Sequence, residues 1–207
     1  ALASTWNRKL AGKCGQVLGE EARGRGKDVI LAPGINIKRS SLCGRNFEYM
    51  SEDPYLAGEM AVPLIEGIQK ADVAACVKHF ALNNQETERL WVEVEVSDQA
   101  LREIYLPAFK KAVKKAGALS LMGAYNRYKG EHCCESKELW TDILRKEWGY
   151  DGMVVSDWGA VHDTKKAAES ALDLEMSVTY DFDNYCLARP LKEAVEKGEI
   201  SEGLIDE

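Results

Sequence analysis

Short apolar runs alternate with longer amphipathic stretches along the chain. The runs Val29–Leu31, Val73–Val77, Leu119–Ala124 and Met153–Val155 read as strands, with Leu172–Leu174 as a short fifth. Helical spacing covers Asn7–Ala22, Leu56–Ile68, Asp98–Lys115, Ser136–Trp148, Val161–Ala171 and Leu187–Lys197. In the third of these, Leu101, Ile104, Leu106, Phe109 and Val113 carry the apolar positions. Ser97 stands where an N-cap belongs, and Gly117 follows a lysine-rich end suited to a helix C-terminus. Gly149 closes the next helix in the same way.

Strands alternating with helices predict a parallel sheet covered by helices. A doubly wound sheet and a (β/α) TIM-type barrel both fit that order. The polar residues favour the barrel, because the strands end at Pro33-Gly34, Lys78-His79, Tyr125-Asn126 and Ser156-Asp157-Trp158. Clusters of that kind at strand ends are what a barrel's active-site rim requires. A dinucleotide-binding sheet wants a glycine-rich turn after its first strand, and Gly15, Gly19, Gly24 and Gly26 follow no strand.

A chain of 207 residues is long enough to bury a substantial core. The net charge of −7 argues against nucleic acid as a partner, since phosphate binding wants a basic surface. A neutral sugar fits that balance. No apolar run reaches membrane-spanning length, and no secretory pattern opens the chain, which begins at Ala1 without methionine. The six cysteines, Cys14, Cys43, Cys76, Cys133, Cys134 and Cys186, have no metal-ligand spacing. They read mostly as free thiols of a reducing compartment, which points to the cytoplasm.

Among residues able to do chemistry, Asp157 leads. It follows Met153-Val154-Val155, so a barrel would lift its carboxylate to the cavity, where it could attack an anomeric carbon. By position alone Asp157 reads as a cap for the following helix. The adjacent Trp158, an aromatic face suited to a pyranose, turns the reading toward a sugar site. Lys78 and His79 are two ionisable groups at the end of a buried strand, a costly place unless they meet solvent or ligand. Both could donate to sugar hydroxyls. Equally, the histidine could be structural and the lysine solvated, or Lys78 could be a Schiff-base lysine of an aldolase. Arg45, after the Gly44 turn, is either a forked donor to a sugar or a partner for Glu48, Glu52 or Asp53. Met122 and Tyr125 fit ordinary core positions. His132 and His162 read as surface or structural residues, and neither a metal site nor a cofactor is predicted.

Six ordered segments carry a resemblance: LAPGINI from Leu31, LCGRNFEYMSEDPY from Leu42, VKHFALNNQE from Val77, LREIYLPAF from Leu101, MGAYN from Met122 and GMVVSDWGA from Gly152. Together they resemble the N-terminal barrel domain of family 3 glycoside hydrolases of the β-glucosidase type, from about Ser4 onward. The resemblance implies an exo-acting retaining β-glycosidase with Asp157 as nucleophile. It implies Arg45, Lys78, His79 and Tyr125 in the glycone subsite, with Met122 and Trp158 as its apolar walls. Substrates would be β-linked glucosides or oligosaccharides, split by two carboxyl groups roughly 5 Å apart.

Set against that family, residues 1–207 form a partial barrel domain, without the first two or three strands and an aspartate that holds sugar hydroxyls. The acid/base glutamate is expected in a second α/β domain. Leu174-Glu-Met-Ser lacks the family's proline and glycine, so Val178–Asn184 is expected to be altered or disordered. The chain alone is therefore expected to be weak or inactive on ordinary glycosides and to associate through exposed barrel edges. The alternative is a non-catalytic remnant of the same barrel that binds a sugar or a partner protein.

Overall fold

The computed structural model describes residues 1–206. Its centre is a four-stranded parallel sheet of β1 (Val29–Ile30), β2 (Ala74–Phe80), β4 (Ser120–Gly123) and β7 (Met153–Val155), in that order. Spatial order follows chain order without a reversal. That sequential winding is the signature of a (β/α) barrel wall, whereas a doubly wound sheet reverses at a switch point. The architecture is therefore a TIM-type barrel fragment.

Each crossover carries a helix. Helix α1 (Arg8–Gly24) precedes β1, and α2 (Pro54–Gln69) lies between β1 and β2. Asn7 caps α1 by accepting from the Leu10 amide at 3.0 Å, and Asp53 caps α2 from the Tyr55 amide at 2.8 Å. The two helices pack backbone to backbone. A Cβ on Gly15 would stand 2.1 Å from the Leu64 carbonyl, and one on Gly67 would stand 2.4 Å from that of Gly12.

The helix expected over 98–115 is interrupted. It starts as α3 (Asp98–Ala100) with the Ser97 side chain accepting from the Ala100 amide, passes through a π turn at Leu101–Tyr105, and restarts as α4 (Pro107–Lys114). The cause is Pro107, which has no amide hydrogen to offer the preceding turn. The Leu106 amide reaches back five residues to the Leu101 carbonyl at 2.9 Å. A second π-helical stretch, Glu138–Glu147, crosses from β4 to β7, and α5 (Thr164–Glu169) and α6 (Arg189–Glu196) complete the helices. None of the described helices is long and apolar enough to cross a membrane.

Two further differences from the sequence pattern matter. Residues 172–174 do not form a strand; Leu174 makes a single parallel bridge to Val155. A small second sheet also appears, with β3 (Glu93–Val94) parallel to β5 (Arg127–Tyr128), and β5 in a hairpin with β6 (Glu131–His132). The hairpin turn is Lys129-Gly130, both at positive φ (51° and 81°), the conformation a two-residue hairpin favours. The segment 178–184 carries a short 3₁₀ turn, Phe182–Asn184, with Val178, Tyr180 and Phe182 exposed.

The strand pleat sorts side chains onto two faces. Ala75, Val77, Leu121 and Val154 face the helices and join the main core with Phe80, Phe109, Trp140 and Trp148. On the other face, Lys78, Met122 and Val155 stand in lateral register across three strands, above Cys76, Ser120 and Met153. The Ser120 hydroxyl meets Cys76 Sγ at 3.3 Å on that face. Asp157 lies two residues beyond Val155, so the same alternation carries it above the layer of Lys78 and Met122.

Candidate active site

The inner face ends in a cluster around Asp157. The residue is 6% exposed; its Oδ1 accepts from the Trp158 amide at 2.8 Å, while Oδ2 has no hydrogen-bond partner. Burial pushes its carboxyl above the usual range, opposed by the Trp158 amide, Arg45, Tyr125 and Arg89. Asp157 does not cap the next helix. Asp163 does that for α5, accepting from the Lys166 amide at 2.9 Å.

His79 is almost wholly buried and lies inside β2, which continues past the expected end at Val77 to Phe80. The register with β4 shifts between Lys78 and Phe80, so the pleat is interrupted at His79. Its Nε2 reaches within 3.7 Å of Asp157 Oδ2 and 2.8 Å of Arg45 Nη1. Burial, together with Arg45, Lys78 and Arg89, drives the imidazole down to about 2. Since arginine only donates, Nε2 is the acceptor in this contact. Asn36 brackets the His79 backbone, accepting from its amide at 2.7 Å and donating to its carbonyl at 2.8 Å.

Arg45 pairs with Glu48, one of the partners its position offered, and also turns toward His79. Nε lies 3.0 Å from Glu48 Oε1 while Nη1 reaches His79. Lys78 is not a solvated lysine: its side chain is 15% exposed and Nζ lies 3.6 Å from Glu48 Oε2. A Schiff-base lysine is activated by desolvation or a neighbouring cation, and here the neighbour is a carboxylate. Met122 is buried with Cys76 and Val155, and Trp158 packs against them partly exposed. The Tyr125 hydroxyl donates to the Trp158 carbonyl at 2.9 Å, and burial beside Asp157 pushes its phenol up to about 12.

All seven residues singled out from the sequence thus belong to one constellation. It also contains residues the sequence pattern passed over. Arg89 sits 4.9 Å over the Tyr125 ring and pairs with Glu86, which also accepts from Asn83. Tyr49 lies under His79, its hydroxyl 3.3 Å from Nδ1. Asn36 had a signal, an amide between Ile35 and Ile37; Arg89 had none short of the fold. His132 is buried and stacks on the exposed His162, ring centres 4.0 Å apart, beside Trp91. Among the described residues no cluster of His, Cys, Asp or Glu could hold a metal ion.

Two surface hollows lie elsewhere: about 400 Å³ over Leu106, Pro107 and Trp148, and about 470 Å³ beside His162 and Pro190. Neither is lined by Asp157, the carboxylate with a buried, unpartnered oxygen.

Comparison with known proteins decides the lineage. The model of the glycosyl hydrolase family 3 N-terminal domain matches residues 1–207. The chain belongs to glycosyl hydrolase family 3. A β-glucosidase of Bacteroides ovatus is 54% identical over 96% of the chain and 28% of its own length. An exo-α-(1→6)-L-arabinopyranosidase of Bifidobacterium longum is 47% identical over 99% of the chain and 27% of its own length. The solved structure of β-glucosidase 3B from Thermotoga neapolitana in complex with glucose superposes with a TM-score of 0.94 at 46% identity, covering 99% of this chain and 29% of that one. The chain therefore spans between a quarter and a third of the length of these three relatives.

Proposed function

We propose that this chain is part of the barrel domain of a retaining, exo-acting β-glycosidase, with Asp157 as the nucleophile. The supporting observation is the Asp157 carboxylate: buried, aimed off the inner face of the sheet, and left with a free Oδ2 beside Arg45, His79, Tyr125 and Arg89. A carboxylate so placed is available to attack an anomeric carbon and form a glycosyl-enzyme ester. Arg45, Lys78, His79 and Tyr125 line the glycone subsite, while Met122 and Trp158 face the sugar's apolar side. β-Linked glucosides are the proposed substrates, in keeping with the family's β-glucosidases and with the glucose bound by the Thermotoga neapolitana relative. The arabinopyranosidase among the relatives marks how far glycone choice varies on this scaffold.

A second carboxyl group is needed to protonate the leaving group. Glu48 is committed to Arg45 and Lys78, and Glu86 to Arg89 and Asn83. The proton donor is therefore assigned to a group outside this cluster. Without it, turnover of ordinary glycosides by these residues alone falls by about 10²–10⁴-fold. The partly exposed edge strand β1 is the proposed route of any self-association.

The test is incubation with dinitrophenyl 2-deoxy-2-fluoro-β-glucoside, followed by intact-mass and peptide mapping. The reagent needs little acid assistance and stalls after the first displacement. A single adduct on Asp157 is the expected result, and an adduct on another carboxylate overturns the assignment. Saturable sugar binding with no adduct would favour a non-catalytic, sugar-binding role.

A further inference from the structure

The two ring nitrogens of His79 have different partners. Nε2 lies 2.8 Å from Arg45 Nη1, and Nδ1 lies 3.3 Å from the Tyr49 hydroxyl. A guanidinium has donors only, so Nε2 must accept. In a neutral imidazole the other nitrogen then carries the proton, and Nδ1–H donates to Tyr49. The rest of the chain of bonds runs in the same sense. The Tyr49 hydroxyl donates to the Asn83 carbonyl at 3.2 Å, and Asn83 Nδ2 donates back to the Tyr49 oxygen at 3.2 Å.

Nε2 also faces Asp157 Oδ2 at 3.7 Å, and neither atom brings a proton to the other. Buried acceptors in that relation are costly. A proton on Nε2 would relieve the cost by making an aspartate–histidine pair, with Asp157 engaged by the ring. Arg45 occupies the lone pair that such a proton would need.

We propose that Arg45 is a tautomer clamp: by donating to Nε2 it holds His79 as the neutral Nδ1–H imidazole and prevents the ring from capturing Asp157 in an ion pair. Tyr49 is the matching positioning residue, receiving the Nδ1 proton. The groups around the ring and its Tyr49 partner come from four elements: Arg45, Glu48 and Tyr49 from the loop before α2, Lys78 from β2, Glu86 and Arg89 from the loop after β2, and Asp157 from the end of β7. Three of them are cations that oppose a further charge on the imidazole, and burial acts the same way. Asp157 is the carboxylate facing Nε2, and the clamp neutralises its pull. The consequence is specific. His79 brings no proton to Asp157 and its Nε2 lone pair is taken by Arg45, so a ligand hydroxyl entering beside Oδ2 finds that oxygen as its free acceptor.

The inference rests on Asp157 being the nucleophile, but its test reads the ring itself. The chain has three histidines, so long-range ¹H–¹⁵N spectra of labelled protein resolve each one, with His79→Gln assigning the signal. The expected wild-type signature from about pH 4 to 8 is protonated Nδ1, bare Nε2 and no titration. In Arg45→Met the His79 ring is expected to titrate within that range or to move its proton to Nε2. Arg45→Lys, which keeps a donor, restores the wild-type pattern. In Tyr49→Phe the Nδ1 proton exchanges faster with water while Nε2 stays bare.

A wild-type ring protonated at Nε2, or charged near pH 6, overturns the clamp. So does a folded Arg45→Met protein whose His79 signals are unchanged. Should that variant not fold, the wild-type tautomer decides. None of these results depends on the fluoroglycoside labelling, so failure of the clamp and failure of the nucleophile assignment are separable.

Discussion

Glu48 Oε2 and Lys78 Nζ lie 3.6 Å apart, tying the loop before α2 to the inner face of β2. The other oxygen of the same carboxylate lies 3.0 Å from Arg45 Nε. One acidic side chain thus positions two cations at the mouth of the site, and both are mostly shielded from water. Glu48→Gln keeps the size and removes the charge. With the charge that braces both shielded cations gone, the variant is expected to weaken glucose binding by about tenfold. Isothermal titration measures this, and an unchanged Kd would mean that Arg45 and Lys78 need no brace.

The packing of α1 on α2 yields a paired prediction. Gly15→Ala drives a methyl into the Leu64 carbonyl, 2.1 Å from its ideal Cβ, and the helices must part. The expected cost is about 1–3 kcal/mol. Gly24→Ala, at the end of the same helix, meets nothing within 4 Å and is expected to be neutral or stabilising by up to about 1 kcal/mol. Urea titration of both variants checks the pair; equal stabilities would refute the close approach.

Asp157→Asn carries a prediction about pH. The folded state raises the Asp157 pKa, chiefly by burial, so ionisation is less favourable folded than unfolded. Its contribution to stability is complete below the unfolded value of 3.8 and is lost as pH rises through the folded value. The wild type should therefore lose stability relative to Asp157→Asn between acidic and neutral pH, and the variant should be at least as stable at pH 7. Melting curves of the two proteins across that range test it, and a variant less stable at neutral pH than at acid, relative to wild type, would contradict the burial argument.

The thiols should divide into two classes. Cys76 and Cys133 are buried, and burial pushes them up to about 11 and about 12; Cys134 is driven up as well. Adjacent Cys133 and Cys134 are unpaired, their sulfurs turned to the Ala81 and Ala124 carbonyls. In native protein at neutral pH, iodoacetamide is expected to label Cys14 first and Cys186 more slowly, leaving these three until unfolding. Peptide mapping against time reads the order.

The sequence by itself determined the layers and the places of the four central strands. The alternation of apolar runs with amphipathic helices specified a parallel sheet, and Ser97 capped its helix as its side chain requires. Asp157 after three apolar residues, and Lys78-His79 in an apolar run, were visible because buried strands tolerate ionisable groups only where something meets them. The chain order of the strands, without a switch point, was decided only in three dimensions, by which edge each crossover returns to. The same holds for the π turn that absorbs Pro107 and for the Lys129-Gly130 hairpin, where short-range geometry overrides the apolar period. Most of all, only the fold could bring Tyr49, Glu48 and Arg89 to His79 and Asp157. Those contacts join loops far apart in sequence, and hydrogen bonding and charge act on distance in space, which no spacing along the chain encodes.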